Sequence, residues 1–288
     1  MTRRLSIGIG VLIIIIVLLY SAVGKLIFQP TRAHYTSISE KHKEGYITTP
    51  DGVKLNYWMN AEPLNSKTVL YLHGFAGNLN NQTRSIQRIT DIGYNVLALD
   101  YRGYGKSTGK TTKKTYLYDA TVAYAHLRRT INRHDIIVWG DSLGTVPAAY
   151  LASKHRIAGV ILQSTFCKLG DVVRQKGDQT LVRKVCGDIL DRCVNKYRPI
   201  DYIPHVRCPI LFIHTKDDTI TPYEGSIVAY NAVPAGIKKK HIIVEGCHSY
   251  TIFTPEQMLE IKSFFTDTPA TPVPIPARQA GYAGANTG

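Results

Sequence analysis

Asp135-Ile136-Ile137-Val138-Trp139, then Gly140-Asp141-Ser142-Leu143-Gly144, then Val146-Pro147-Ala148-Ala149-Tyr150-Leu151-Ala152: a β-branched run, a Gly-x-Ser-x-Gly pentapeptide and a helix-forming stretch follow in that order. This is the context a nucleophile elbow needs. Glycine two residues to either side lets the strand and helix backbones approach closely, and the strained tip projects the Ser142 hydroxyl into a cleft. A serine hydroxyl is a poor nucleophile at neutral pH, so the elbow calls for a base and an orienting acid further along the chain.

Both partners follow in the required order of serine, acid, histidine. Pro209 to His214 reads as a buried strand that runs into Thr215-Lys216-Asp217-Asp218-Thr219-Ile220-Thr221-Pro222, and either aspartate can supply the acid. The next strand, His241 to Glu245, ends in Gly246-Cys247-His248. Acid and imidazole therefore lie past the carboxyl ends of strands, the edge where open parallel sheets build their sites.

Around these segments the pattern is regular. Gly45–Thr49 and Val53–Trp58 flank Pro50-Asp51-Gly52, a hairpin signal. Val69–Leu72, Val96–Asp100 and Ile157–Leu162 read as buried strands, and Lys113 to Arg129 is helical in pattern. An antiparallel start followed by strands alternating with helices predicts an α/β fold, a mostly parallel sheet covered on both faces. The 288 residues accommodate one large domain.

At this point a resemblance can be stated. Val69-Leu70-Tyr71-Leu72-His73-Gly74-Phe75-Ala76-Gly77-Asn78 is similar to the His-Gly-Asn-Ala-Gly-Asn loop of the membrane-anchored, α/β-hydrolase-domain branch of the α/β-hydrolase superfamily, with Phe75 in place of the first Asn. Asp100-Tyr101-Arg102-Gly103-Tyr104-Gly105-Lys106-Ser107 matches that branch's post-strand signature, and His214 to Pro222 resembles its acid loop. The resemblance, over roughly residues 45 to 265, implies the α/β-hydrolase fold and a catalytic triad of Ser142, Asp218 and His248. Asp218 is favoured over Asp217 because the family's acid falls four positions after the histidine. It also implies an oxyanion hole from the backbone N–H groups of Phe75 and Leu143. His73 is expected to hold its loop rather than react, and Asp100 and Arg102 to act as turn scaffolding. No metal or organic cofactor is called for, since the triad and backbone donors supply the chemistry. A nucleophilic Asp at position 142 would have suggested a dehalogenase or an epoxide hydrolase; the serine argues against both.

The expected domain plan has four parts. Residues 1–28 form a transmembrane signal-anchor with its flanks, 29–44 a linker, 45–265 the catalytic domain with a cap insertion at about 167–205, and 266–288 a disordered tail. Leu5 to Gly24 carries no charge over twenty residues, which at ~1.5 Å rise per residue spans roughly 30 Å of hydrocarbon. A cleaved signal peptide competes, because Ala22-Val23-Gly24 suits a cleavage site, but signal h-regions run about 7–15 residues and an anchor is expected. Basic residues flank both ends, so the side facing the catalytic domain stays open. The cap segment carries apolar residues at helical spacing with interleaved Arg and Lys. It reads either as ordinary surface helices or as a basic cap that docks an acyl substrate or an anionic surface.

The formal net charge of +14 is spread along the chain without a nucleic-acid motif, so nucleic acid is not the expected partner. Behind an anchor, that charge suits anionic headgroups of the bilayer. Five cysteines (Cys167, Cys186, Cys193, Cys208, Cys247) show no scaffold-like spacing and read as free thiols. Asn81-Gln82-Thr83 is a glycosylation sequon that matters only outside the cytosol. The expected function is hydrolysis of acyl esters or thioesters of lipid-like or S-acylated protein substrates. The alternatives are a catalytically silent, membrane-tethered scaffold of the same fold and a peptidase. Oligomeric state is not legible.

Overall fold

The computed structural model describes residues 28–32, 40–60, 66–175, 188, 197–248 and 250–266. Among these, one sheet of nine strands organises the chain. In chain order they are β1 (His42–Thr48), β2 (Lys54–Asn60), β3 (Thr68–Leu72), β4 (Asn95–Leu99), β5 (Ile136–Asp141), β6 (Gly159–Gln163), β7 (Ile210–Thr215), β8 (Lys239–Cys247) and β9 (Tyr250–Ile252). Across the sheet they run β9-β8-β7-β6-β5-β3-β4-β2-β1. The six strands β3 to β8 are mutually parallel; β1, β2 and β9 join antiparallel at the two edges. The β1–β2 hairpin and the alternating pattern thus take the form the sequence predicts.

Every residue of β3, β4, β6 and β7 is buried, as expected of parallel strands covered on both faces. The period-two alternation of a strand sends successive side chains into two separate cores. Leu70, Leu72, Val138, Leu162 and Phe212 join one core, while Val69, Tyr71, Ile137, Trp139, Ile161 and Leu211 join the other. The first core is completed by helices α2 (Lys113–Leu127), α3 (Thr145–Lys154) and α5 (Tyr223–Asn231). The second is completed by α1 (Thr83–Asp91) and α6 (Pro255–Thr266). A short helix, α4 (Leu169–Gln175), opens the segment expected to be the cap. Most of that segment, with Cys186 and Cys193, lies outside the described residues. Its far end, Tyr197 to His205, returns to the domain and buries Tyr197, Pro199 and Ile203.

The segment assigned to a linker is more engaged than its composition suggests. Gln29–Pro30 pairs in parallel with Ala76–Gly77, beyond β3. Phe28, the last residue of the segment assigned to the anchor and its flanks, is also buried, with its ring 5.1 Å from that of Tyr116 and 5.9 Å from that of Tyr197. A single aromatic side chain finding an apolar slot has no periodicity to reveal it. Strand β1 likewise begins at His42, inside the stretch read as linker, because its ladder to β2 extends to His42 opposite Asn60. The apolar stretch 5–24 and the tail from 267 lie outside the described residues; among the described residues no helix is long and apolar enough to cross a membrane.

Two glycines explain how β5 can turn into α3. A Cβ on Gly140 would overlap the carbonyl of Gly144, and a Cβ on Gly144 would overlap the Leu72 carbonyl oxygen. Only hydrogen fits at either place, and the helix start can then press against the ends of β5 and β3. Between them Ser142 takes a φ of 53°, a left-handed conformation that L residues seldom adopt, typically at ~1–3 kcal/mol.

Candidate active site

Strand ends assemble the site. Ser142 follows β5, Asp218 lies on the loop after β7, His248 follows β8, and Phe75 lies on the loop after β3, all at the carboxyl edge of the parallel strands. The structure brings the three predicted side chains into one chain of contacts. His248 Nε2 is 2.9 Å from Ser142 Oγ, and His248 Nδ1 is 2.8 Å from Asp218 Oδ2. Asp217, the other acid the sequence allowed, is exposed and has no place in this chain.

Asp218 is held by a dense set of donors. Its Oδ1 accepts the backbone N–H groups of Ile220 at 2.9 Å and Thr221 at 2.8 Å, and its Oδ2 accepts the Thr221 hydroxyl at 2.8 Å. Behind it, the buried His214 places Nε2 3.4 Å from Oδ2. Burial alone would raise this carboxyl; hydrogen bonds from His214 and His248, the His248 charge and the Thr221 N–H outweigh it and hold Asp218 well below the usual carboxylate range. The group stays anionic, and its contact with Nδ1 selects the tautomer that leaves Nε2 facing the serine.

The loop after β3 is fixed from below. His73 is fully buried and its Nδ1 lies 2.9 Å from the Gly74 carbonyl oxygen, to which the protonated tautomer donates. Because the C=O and N–H of a trans peptide point in opposite directions, that bond also sets where the Phe75 N–H points. The Phe75 carbonyl is in turn held by the Tyr104 hydroxyl at 2.7 Å and by Gln29 N–H at 2.9 Å. His73 thus serves its loop, as expected. Burial lowers His73 to about 4 and raises its neighbour Asp100, 3.4 Å away, to about 8, so both are neutral at pH 7. Arg102 likewise has a scaffolding place: its guanidinium meets Asp119 at 2.8 Å and Asp51 at 2.8 Å, while its own N–H reaches Asp119.

Ser142, His248, Gly74 and Phe75 line a cleft of about 560 Å³ together with Arg84, Arg88 and Tyr250. Several of its residues were not singled out from sequence. Asp141 occupies the variable position of the pentapeptide and is one of the lining residues; burial raises it to about 6, against the pull of the His248 charge and the Tyr71 hydroxyl. Its Oδ2 lies 3.4 Å from that hydroxyl, and Oδ1 has no hydrogen-bond partner among the described residues. Thr221 and His214 sat in plain view within the acid loop, but nothing in their order says that both reach back to the aspartate. Arg84 and Arg88 are four apart, a helical signal that was available. Cys247, beside His248, is an exposed free thiol, and Cys167 and Cys208 are buried free thiols.

Comparison with known proteins agrees with this architecture. A family model described as alpha/beta hydrolase fold matches residues 67–177. The described chain thus has the α/β-hydrolase fold. Among curated proteins it is 29% identical over 213 residues to the alpha/beta hydrolase domain-containing protein aho-3 of Caenorhabditis elegans, covering 73% of this chain and 60% of that one. It is 30% identical to alpha/beta hydrolase domain-containing protein 17C of Xenopus tropicalis, covering 73% and 64%. It is 27% identical over 169 residues to a protein of Danio rerio named lysophosphatidylserine lipase ABHD12, covering 54% and 44%. The chain thus spans less than two thirds of the length of these relatives. Among solved structures, an esterase of Pyrococcus furiosus superposes with a TM-score of 0.67 at 23% identity, covering 83% of this chain and 96% of that one; at that identity the likeness concerns the fold.

Proposed function

We propose that this protein is a serine hydrolase that cleaves acyl esters or thioesters, of lipid-like or S-acylated substrates, through a covalent acyl-enzyme. The observation that carries the reading is the unbroken contact chain Ser142 Oγ, His248 Nε2, His248 Nδ1, Asp218 Oδ2, at 2.9 and 2.8 Å. His248 takes the Ser142 proton as Oγ attacks the acyl carbonyl carbon. The tetrahedral oxyanion then meets the N–H groups of Phe75 and Leu143, each such donor typically supplying about 3 kcal/mol. His248 returns the proton to the departing alcohol or thiol. Water, deprotonated by the same imidazole, releases the acid and restores the serine. Asp218, kept anionic by its donors, stabilises the transient imidazolium. Phe75, where the family carries Asn, makes the cleft mouth more apolar, which suits an acyl group.

Relatives named as lipase and as hydrolase-domain proteins support an ester-cleaving reading. An anchor formed by residues 5–24 would place the enzyme in the same two-dimensional phase as an acyl lipid, near anionic headgroups that suit its charge of +14. The test is a fluorophosphonate probe on the detergent-solubilised chain, read by intact mass. One adduct on wild type and none on Ser142→Ala is the expected result. A folded wild type that takes no adduct would overturn the hydrolase reading and bring forward a silent binding protein of the same fold.

A further inference from the structure

Helix α1 divides its faces cleanly. Ile86 and Ile89 turn into the core, while Arg84 and Arg88, one turn apart, line the cleft that holds Ser142. Two guanidinium groups so close repel each other, and a protein normally answers such a pair with carboxylates. Here the answer is aromatic. Arg84 lies over the Tyr250 ring at 4.3 Å and Arg88 over the Phe253 ring at 5.1 Å. Arg88 also donates to the Thr251 carbonyl oxygen at 2.9 Å. Among the described residues neither arginine is ion-paired, and the first turn of α1 contains no acidic side chain. Among the described residues the cleft has one carboxylate, Asp141, whose Oδ2 lies 3.4 Å from the Tyr71 hydroxyl, a donor that also reaches Gln82 Oε1 at 2.9 Å. Burial, and then the charge of Arg84, hold Arg88 below the ordinary guanidinium range. Aromatic faces orient a guanidinium while leaving its N–H edges for another partner.

We infer that Arg84 and Arg88 form a subsite for the phosphate of the substrate's headgroup, so that the preferred substrate is a monoacyl phospholipid rather than a neutral acylglycerol. This rests on the acyl-hydrolase reading and deepens it. Two forks that each present paired N–H donors match the tetrahedral oxygens of a phosphate, which a single ammonium does not. The pair lines the same cleft as Ser142, which lets one molecule span the subsite and the nucleophile.

The test uses ether-linked lipids, which a serine cannot cleave, so its result is independent of hydrolysis. The full chain in non-ionic detergent is titrated calorimetrically with a 1-O-alkylglycerol phosphate and with the matching neutral 1-O-alkylglycerol. Wild type is expected to prefer the phosphate by roughly 10- to 100-fold, the range of charge-assisted hydrogen bonds. That ratio should collapse toward one in Arg84→Gln/Arg88→Gln and be largely kept in Arg84→Lys/Arg88→Lys. Should the double variant fail to fold, Arg84→Gln alone, at an exposed position, should reduce the ratio. Equal binding of the two lipids by wild type, or a preference that survives both Gln variants, would overturn the subsite. So would inorganic phosphate filling it at the lipid's own concentration, or an acidic peptide carrying a thioether-linked alkyl chain binding as tightly as the phospholipid. Labelling of Ser142 by the fluorophosphonate decides the hydrolase reading separately: an adduct with no phosphate preference removes the subsite alone.

Discussion

His73 stands immediately after β3 and Asp100 immediately after β4; His248 stands immediately after β8, and Asp218 lies in the loop after β7. Both pairs are a histidine and an aspartate at the carboxyl edge of one sheet, both aspartates are buried, and yet their electrostatics are opposite. Burial pushes Asp100 up to about 8, with the Leu79 N–H opposing it. Asp218 is drawn far down by two backbone N–H groups, a threonine hydroxyl and two imidazoles. Burial acts on both; the hydrogen bonds gathered on Asp218 outweigh it there and keep that carboxyl an anion. The neutral pair braces a loop, and the charged pair can stabilise a cation that forms during turnover.

The largest effects should come from the charged pair. His248→Ala is expected to lower kcat by about 10⁶-fold, as loss of a triad histidine does; near-normal turnover would dissolve the comparison at once. Asp218→Asn is expected to lower kcat by about 10⁴-fold while geometry is retained. Asp100→Asn imitates a carboxyl that is already protonated at neutral pH, and steady-state kinetics should show a change of less than about tenfold. If the two Asn variants lost activity equally, the pairs would not differ as described.

Stability against pH separates them further. Asp100 is raised in the folded protein, so its contribution is fully present below the unfolded pKa of about 3.9 and is lost as pH rises through about 8. Asp218 is depressed, so its contribution is present above about 3.9 and is lost as pH falls towards its folded value. His73, lowered to about 4, contributes fully above the unfolded value of about 6.5 and loses that contribution as pH falls through about 4. Urea midpoints at pH 5 and pH 8 should therefore show Asp100→Asn gaining on wild type at the higher pH; parallel curves would contradict the raised carboxyl. The smallest effect belongs to Asp141. Burial raises it to about 6, and it stands outside the contact chain of Ser142, His248 and Asp218, so Asp141→Asn should change kcat/KM by less than about tenfold. A loss as large as that of Asp218→Asn would mean that this carboxylate takes part in the chemistry.

Much of this molecule is legible in its linear order. The near-continuous apolar runs within β3, β5, β6 and β7 announce a covered parallel sheet because a strand buried on both sides has little room for a polar face. The spacing of Gly140, Ser142 and Gly144 announces a turn too tight for side chains. With the strands placed, serine, acid and histidine fall on one edge by topology alone. What the sequence could not rank without a family resemblance was Asp218 over Asp217: the two are neighbours, and only the loop's curvature turns one carboxylate toward Ile220, Thr221, His214 and His248 while the other stays in solvent.

Tertiary structure decided the rest, for a common reason. The slot for Phe28, the brace of His73 against Asp100, and the aromatic seats of Arg84 and Arg88 each join residues from distant parts of the chain. Tyr250 lies more than 160 residues beyond Arg84, yet stacks on it. Local patterning reports which face of an element is apolar. It carries no record of which charges will be left facing each other across a cleft once the apolar faces have been buried.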